Sequence, residues 1–115
     1  MAARTLAAEL GFDGADLVLI ATAVSEVARN IVEYAKLGEV RIAPAINGHK
    51  RGLEVIAKDS GPGIADVAQA MEDGYTTGRG LGIGLPGSRR LMDDFEIDSK
   101  VGRGTTITMK KWLRA

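Results

Sequence analysis

Near Gly38 the spacing of apolar residues changes from three and four to two, and few folds accommodate both halves of that pattern. Before it, Leu17, Ile20, Ala21, Val24, Ala28, Ile31 and Ala35 form one stripe, predicting a helix from about Ala15 to Lys36. Asp13 or Asp16 can cap its start, and Gly38 suits its end. After it, Val40, Ile42 and Ile46 fall on one face of a strand, an Asn47–Arg51 turn follows, and Leu53, Val55 and Ala57 alternate in a second strand. Pro44 makes the first of these an edge or bulged strand. Residues 2–10 read as a short helix carrying Leu6 and Leu10 and stopped near Gly11. A short helix is expected from Ala65 to Met71 and another from Gly84 to Asp93, with Pro86 in its first turn. Phe95–Ser99 and Thr105–Leu113 read as strands joined at Gly102-Arg103-Gly104. The expected fold is a single α/β (α+β) domain over residues 1–115. It is a two-layer sandwich with helices on one face of a mixed, mainly antiparallel sheet.

Composition narrows the partners. Fifteen basic and fifteen acidic residues cancel, so no whole-chain field draws the protein to nucleic acid or membrane. Cysteine is absent, which removes disulfides and thiolate metal sites and fits a cytoplasmic location. No apolar stretch is long enough to span a bilayer, and the first residues read as an Ala/Leu helix rather than a signal peptide. Glycine is the exception to an ordinary composition. Of fifteen, Gly61, Gly63, Gly74, Gly78, Gly80, Gly82, Gly84 and Gly87 crowd one part of the chain.

Three features fit poorly in a plain scaffold. Strand alternation puts Asp59 on the side of Leu53, Val55 and Ala57, where a carboxylate needs donors. It reads either as a turn residue opening Asp-Ser-Gly-Pro-Gly or as an acceptor for a ligand amino group, with Gly61 and Gly63 letting backbone come close. Glu26 and Asn30, four apart, share a helix face roughly opposite the apolar stripe. They are either solvated or, flanked by Ala23 and Val27, part of a cleft. There the Asn30 carbonyl oxygen would suit Mg²⁺ and Glu26 could accept a proton from a hydroxyl or water. The third feature, GRGLGIGLPG at residues 78–87, has the form GxGxxG but lacks the preceding strand of a dinucleotide fold. It also lacks the Gly-Lys-Ser/Thr of a P-loop. Alternating glycines running into a helix start still offer free backbone N–H groups to phosphate oxygens, against the alternative of a plain surface loop. His49 is expected to be solvated in its turn. Arg89-Arg90 and Asp93-Asp94 read as a solvated helix end, and Trp112 belongs on the sheet's other face or an edge.

In order, SEVARN with Glu26 and Asn30, DSGPG from Asp59, GRGLGIGL from Gly78 and GRGT ending in Thr105 resemble the N, G1, G2 and G3 boxes of the GHKL ATPase superfamily. The resemblance runs from about Leu6 to Trp112. Within the superfamily, AVSEVARNIVEYA and GLGIGLPGSRRLMDDFEIDSKVGRGTTITMKKW resemble the RsbT-type switch protein-serine/threonine kinases of the anti-sigma factor kinase group. It implies ATP and Mg²⁺ as cofactors, with Asn30 as metal ligand and Glu26 as general base. Asp59 becomes the acceptor for the adenine amino group above Gly61 and Gly63. Gly80, Gly82 and Gly84, with Leu81 and Ile83 between them, become a lid over the phosphates; Arg79, within it, either reaches the γ-phosphate or is a solvated loop arginine. Thr105 becomes a second adenine-side contact. Strand alternation also sets Thr105 on the inward face with Ile107 and Met109. The implied activity is transfer of the ATP γ-phosphoryl group to a STAS-domain protein of a stressosome or partner-switching pathway, with a phosphatase or sigma-pathway regulator downstream. Alternatives are an ATP-dependent anti-sigma-type binding module and the detached ATP-binding domain of a sensor histidine kinase. Such relatives usually begin with a further strand; this sequence is expected to start inside that region, so either its start is truncated or its sheet lacks that strand.

Overall fold

In the computed structural model, residues 2–34, 37–63 and 84–114 are described. They form α1 (Ala2–Leu10), α2 (Gly14–Tyr34), β1 (Gly38–Asn47), β2 (Lys50–Asp59), α3 (Gly84–Leu91), β3 (Asp94–Lys100) and β4 (Gly104–Trp112). The helix expected at Ala65–Met71 and the lid residues Arg79, Gly80, Leu81, Gly82 and Ile83 lie outside the described residues.

The four strands form one sheet in the order β1-β2-β4-β3, and all three pairings are antiparallel. β1 and β2 are joined as a hairpin at Asn47 and Lys50, and β3 and β4 at Lys100 and Gly104. Between the hairpins the chain leaves β2, passes through α3 and returns into β3, leaving β4 as the strand that docks on β2. β1 is an edge strand, so the missing N–H of Pro44, opposite Leu53, need not interrupt an interior ladder.

Helices cover the face that carries Leu53, Val55, Ala57, Ile107 and Met109, all buried. α2 supplies Ile20, Val24, Val27 and Ile31, and α1 packs on α2 and the β1–β2 side. Asp13 caps α2: its Oδ1 accepts from the Asp16 N–H at 3.1 Å, and its backbone carbonyl accepts from the Leu17 N–H at 2.9 Å. Expectation and structure differ at two places in this layer. Ile46 is 74% exposed, because the tip of the β1–β2 hairpin outruns the helices. The inward face of α2 is rotated from the expected stripe, since Ala23 and Val27 are fully buried while Ala21 and Ala28 are only half-buried. The cause is α3, which packs against α2 and turns what a wheel reads as the outer flank into an interior one.

Candidate functional site

The Asp59 end of the sheet gathers residues that are far apart in sequence. Asp59 closes β2 and pairs with Gly38 on one side and Thr105 on the other. Its Oδ1 accepts from the Gly61 N–H at 2.9 Å and from the Thr105 N–H at 3.2 Å. The first bond is a local turn of the kind Asp favours; the second ties two strands together. The turn reading of Asp59 thus accounts for one oxygen of the carboxylate. Oδ1 serves the backbone, and among the described residues Oδ2 carries no hydrogen bond.

Glycines bring this end close. A Cβ at Gly104 would overlap the carbonyl oxygen of Asp59, and one at Gly63 would overlap that of Lys100; both have positive φ, +105° and +78°. The Gly102 N–H donates to the Pro62 carbonyl at 2.9 Å, fastening the DSGPG turn to the β3–β4 turn. Gly61 and Gly63 are thus drawn in beside Thr105, which is buried. The Thr105 hydroxyl lies 2.7 Å from Ser99 Oγ, which also donates to the Gly104 carbonyl at 3.3 Å. Ser99 escaped the reading of the sequence, although its place opposite Thr105 in the hairpin register carries the signal.

α2 reaches the same end. A Cβ at Gly38 would lie 2.7 Å from Ile31 Cγ2 and 3.1 Å from Asp59 Cβ, so the last turns of α2 stand beside Asp59. Asn30, adjacent to Ile31, is half-buried there. Glu26, one turn back, is only 8% exposed. Of the two alternatives for this pair, solvent exposure does not hold for Glu26, which is buried, while Asn30 stays half-buried, and the helix spacing keeps the two residues adjacent. Gly84 opens α3, which follows directly on the glycine-rich run. Arg79, Gly80, Leu81, Gly82 and Ile83 lie outside the described residues, so Gly84 alone of the expected lid is assigned a position.

Other expectations resolve away from this end. His49 is exposed in its turn, as expected. Asp93 and Asp94 are more than a solvated helix end: Asp93 Oδ2 accepts from the Trp112 N–H at 2.7 Å, and Asp94 Oδ2 from Trp112 Nε1 at 2.8 Å. Trp112 lies on the sheet's other face, with the Lys50 ammonium 6.0 Å from its ring.

ATP and Mg²⁺ can be tested against this geometry. Among the described residues no group of three or more His, Cys, Asp or Glu side chains could hold a metal. The half-buried Asn30 carries a carbonyl oxygen, a hard donor of the kind Mg²⁺ takes while completing its shell with phosphate and water. The unengaged Asp59 Oδ2, acceptor-only when ionised, suits an amino group approaching over a glycine-lined turn.

The sequence matches the histidine kinase-like ATPase domain family over residues 1–111. It is 51% identical over 111 residues to the serine/threonine-protein kinase RsbT of Bacillus subtilis, covering 96% of this chain and 84% of that protein. It is 36% identical to an anti-sigma F factor of Thermoanaerobacter sp. (strain X514), covering 82% and 68%. An anti-sigma F factor of Caldanaerobacter subterraneus is 37% identical over 100 residues, with the same coverage.

Proposed function

Because this chain belongs to the histidine kinase-like ATPase domain family, we propose that it is a protein-serine/threonine kinase that moves the ATP γ-phosphoryl group to a hydroxyl of a STAS-domain regulatory protein. The observation that carries this reading is Asp59, with one oxygen locked by Gly61 and Thr105 and the other left for a ligand donor. Its Oδ2 accepts a hydrogen bond from the adenine amino group, and Thr105 supplies a second contact directly or through water. Gly61 and Gly63 form the floor beneath the base. Asn30 ligates Mg²⁺, which when bound offsets charge on the transferring phosphoryl group.

Phosphoryl transfer needs positioning and charge stabilisation more than covalent chemistry. The acceptor hydroxyl oxygen bonds to the γ-phosphorus as the bond to the β,γ-bridging oxygen breaks, releasing ADP. Glu26 takes the hydroxyl proton. Its burial beside Ala23 and Val27 supports that role, since a base in a water-poor site competes with less bulk solvent. The backbone N–H groups of Gly80, Gly82 and Gly84, with Leu81 and Ile83 between them, would serve the phosphates, and Arg79 would serve the γ-phosphate. The setting is a cytoplasmic partner-switching pathway. Among the described residues no helix is long and apolar enough to cross a membrane.

Similarity to anti-sigma F factors favours one further reading, a module whose grip on a partner is set by ATP. Incubating the chain with Mg·ATP and STAS-domain proteins, then locating phosphate by mass spectrometry, separates the two. Acid-stable phosphoserine or phosphothreonine is expected. ATP-dependent complex formation without transfer would instead establish the module, and acid-labile phosphate would point to a histidine acceptor.

A further inference from the structure

The inward face of β4 carries Thr105, Ile107, Met109 and Lys111 in strict alternation, so a lysine occupies a core-facing position at the end of the strand away from Asp59. Its side chain is 7% exposed. A buried ammonium is costly unless it is paired and hydrogen-bonded, and here one hydrogen bond and one nearby carboxylate meet it. Lys111 Nζ donates to the carbonyl of Leu91, the last residue of α3, at 2.8 Å, and lies 3.9 Å from Asp16 Oδ1 in the first turn of α2. An ammonium at a helix C-terminus also complements the negative end of the helix dipole. One side chain thus ties the end of α3 to the start of α2, the helix that carries Glu26 and Asn30.

We propose that Lys111 is a positioning residue of the nucleotide site, fixing α3 from its C-terminal end and thereby the Gly84 end that follows the glycine-rich run. This rests on the kinase reading above, because only there does the Gly84 end face phosphates. α3 has eight residues, about 12 Å of helix at 1.5 Å each; Leu85, Pro86 and Ser88 bury its first half, while Arg89 and Arg90 near its end are exposed, so the Lys111 bond holds the end that packing holds least. The backbone bond from the Asp93 N–H to the Lys110 carbonyl, 2.9 Å, pins the chain just after α3, while Lys111 grips the helix end itself.

Two measurements on the full chain test this in Lys111→Met, with Lys111→Arg and Lys111→Gln as milder variants should the methionine protein fail to fold. The first is hydrogen exchange without nucleotide. Amides of Ser88–Leu91 should lose about ten-fold or more of their protection in Lys111→Met, with Leu53–Ala57 unchanged and partial recovery in Lys111→Arg. The second is calorimetric affinity for Mg·ATP and for adenosine. Kd for ATP should rise about ten-fold while that for adenosine stays within about two-fold, since only the phosphates meet the α3 end. Unchanged α3 protection would overturn the inference, as would equal weakening of ATP and adenosine, the mark of a general loss of stability. An unmutated chain that binds no ATP would sink the kinase reading instead, and the exchange data would still decide whether Lys111 holds α3.

Discussion

At Asp59 one carboxylate oxygen is engaged by the backbone and, among the described residues, the other is not, so substitution can probe the proposed binding role apart from the structural one. Asp59→Asn keeps an oxygen for the Gly61 and Thr105 N–H groups but puts an NH₂ where Oδ2 stood. Two donors then face each other across the site. ATP affinity should fall by about 1.5–3 kcal/mol, the range for a hydrogen bond to a charged group, with little loss of fold stability. The unmutated protein should also prefer ATP to GTP, whose base presents a carbonyl oxygen where adenine has its amino group. Calorimetry with both nucleotides checks this, and equal affinities would remove Asp59 from the adenine contact. Glu26 and Asn30 make a second separable pair. Asn30→Ala should damage both Mg·ATP binding and turnover. Glu26→Gln keeps size and polarity without the proton acceptor, so it should bind ATP within a few-fold and transfer phosphate about 10²–10⁴ times more slowly. A normal rate of acceptor phosphorylation at saturating ATP in Glu26→Gln would leave transfer to positioning alone.

At the scale of elements, the joints carry the site, and they should be the places where small changes cost most. Asp13→Ala removes the side-chain cap of α2 and should cost about 1 kcal/mol in urea unfolding without touching the ligand end. Gly104→Ala should cost more, because the new methyl would overlap the Asp59 carbonyl at a φ that alanine resists. It should also weaken ATP binding by shifting Thr105, which the helix-cap variant leaves alone. The helices and strands themselves were readable because each has one buried face and a matching period. Leu53, Val55 and Ala57 point to the core, and alternation alone placed Asp59 and Thr105 beside them. The same alternation marks Lys111 as inward, but a lysine near a chain end is easily taken for surface, and its partners Leu91 and Asp16 are contacts only folding reveals. Glu26 stayed open between solvent and cleft for a similar reason. A helical wheel assumes one buried face, and α3 gives α2 a second. Ser99 was hidden until hairpin register set it opposite Thr105.

Across the whole molecule, the inward row of β4 is polar at both ends and apolar between, with Thr105 beside Asp59, Lys111 beneath α3, and Ile107 and Met109 in the core. A ligand seated at the Asp59 end would touch the turn after β2, β4 and the last turns of α2, segments that separate on unfolding. Binding there must therefore report on global stability, because a ligand that binds only the folded state stabilises it by RT ln(1 + [L]/Kd). At a free Mg·ATP concentration of 100 times Kd this amounts to about 2.7 kcal/mol. For a domain of this length, roughly 3–5 °C of Tm per kcal/mol gives a rise of about 10 °C. The dependence should be logarithmic in ATP concentration, and EDTA should remove whatever part depends on Mg²⁺ at Asn30. A loss of about 1.5–3 kcal/mol in Asp59→Asn, about 13- to 160-fold, leaves about 0.3–1.3 kcal/mol at the same ATP concentration, so its rise should be less than half as large. Glu26→Gln, which spares binding, should keep the full rise while losing transfer. Differential scanning fluorimetry over a nucleotide titration measures all three proteins side by side. If ATP leaves Tm unchanged in the unmutated chain at millimolar concentration, the Asp59 end is not a nucleotide site. If Asp59→Asn shows the full rise, ATP binds without the carboxylate, and the unengaged Oδ2 has another use.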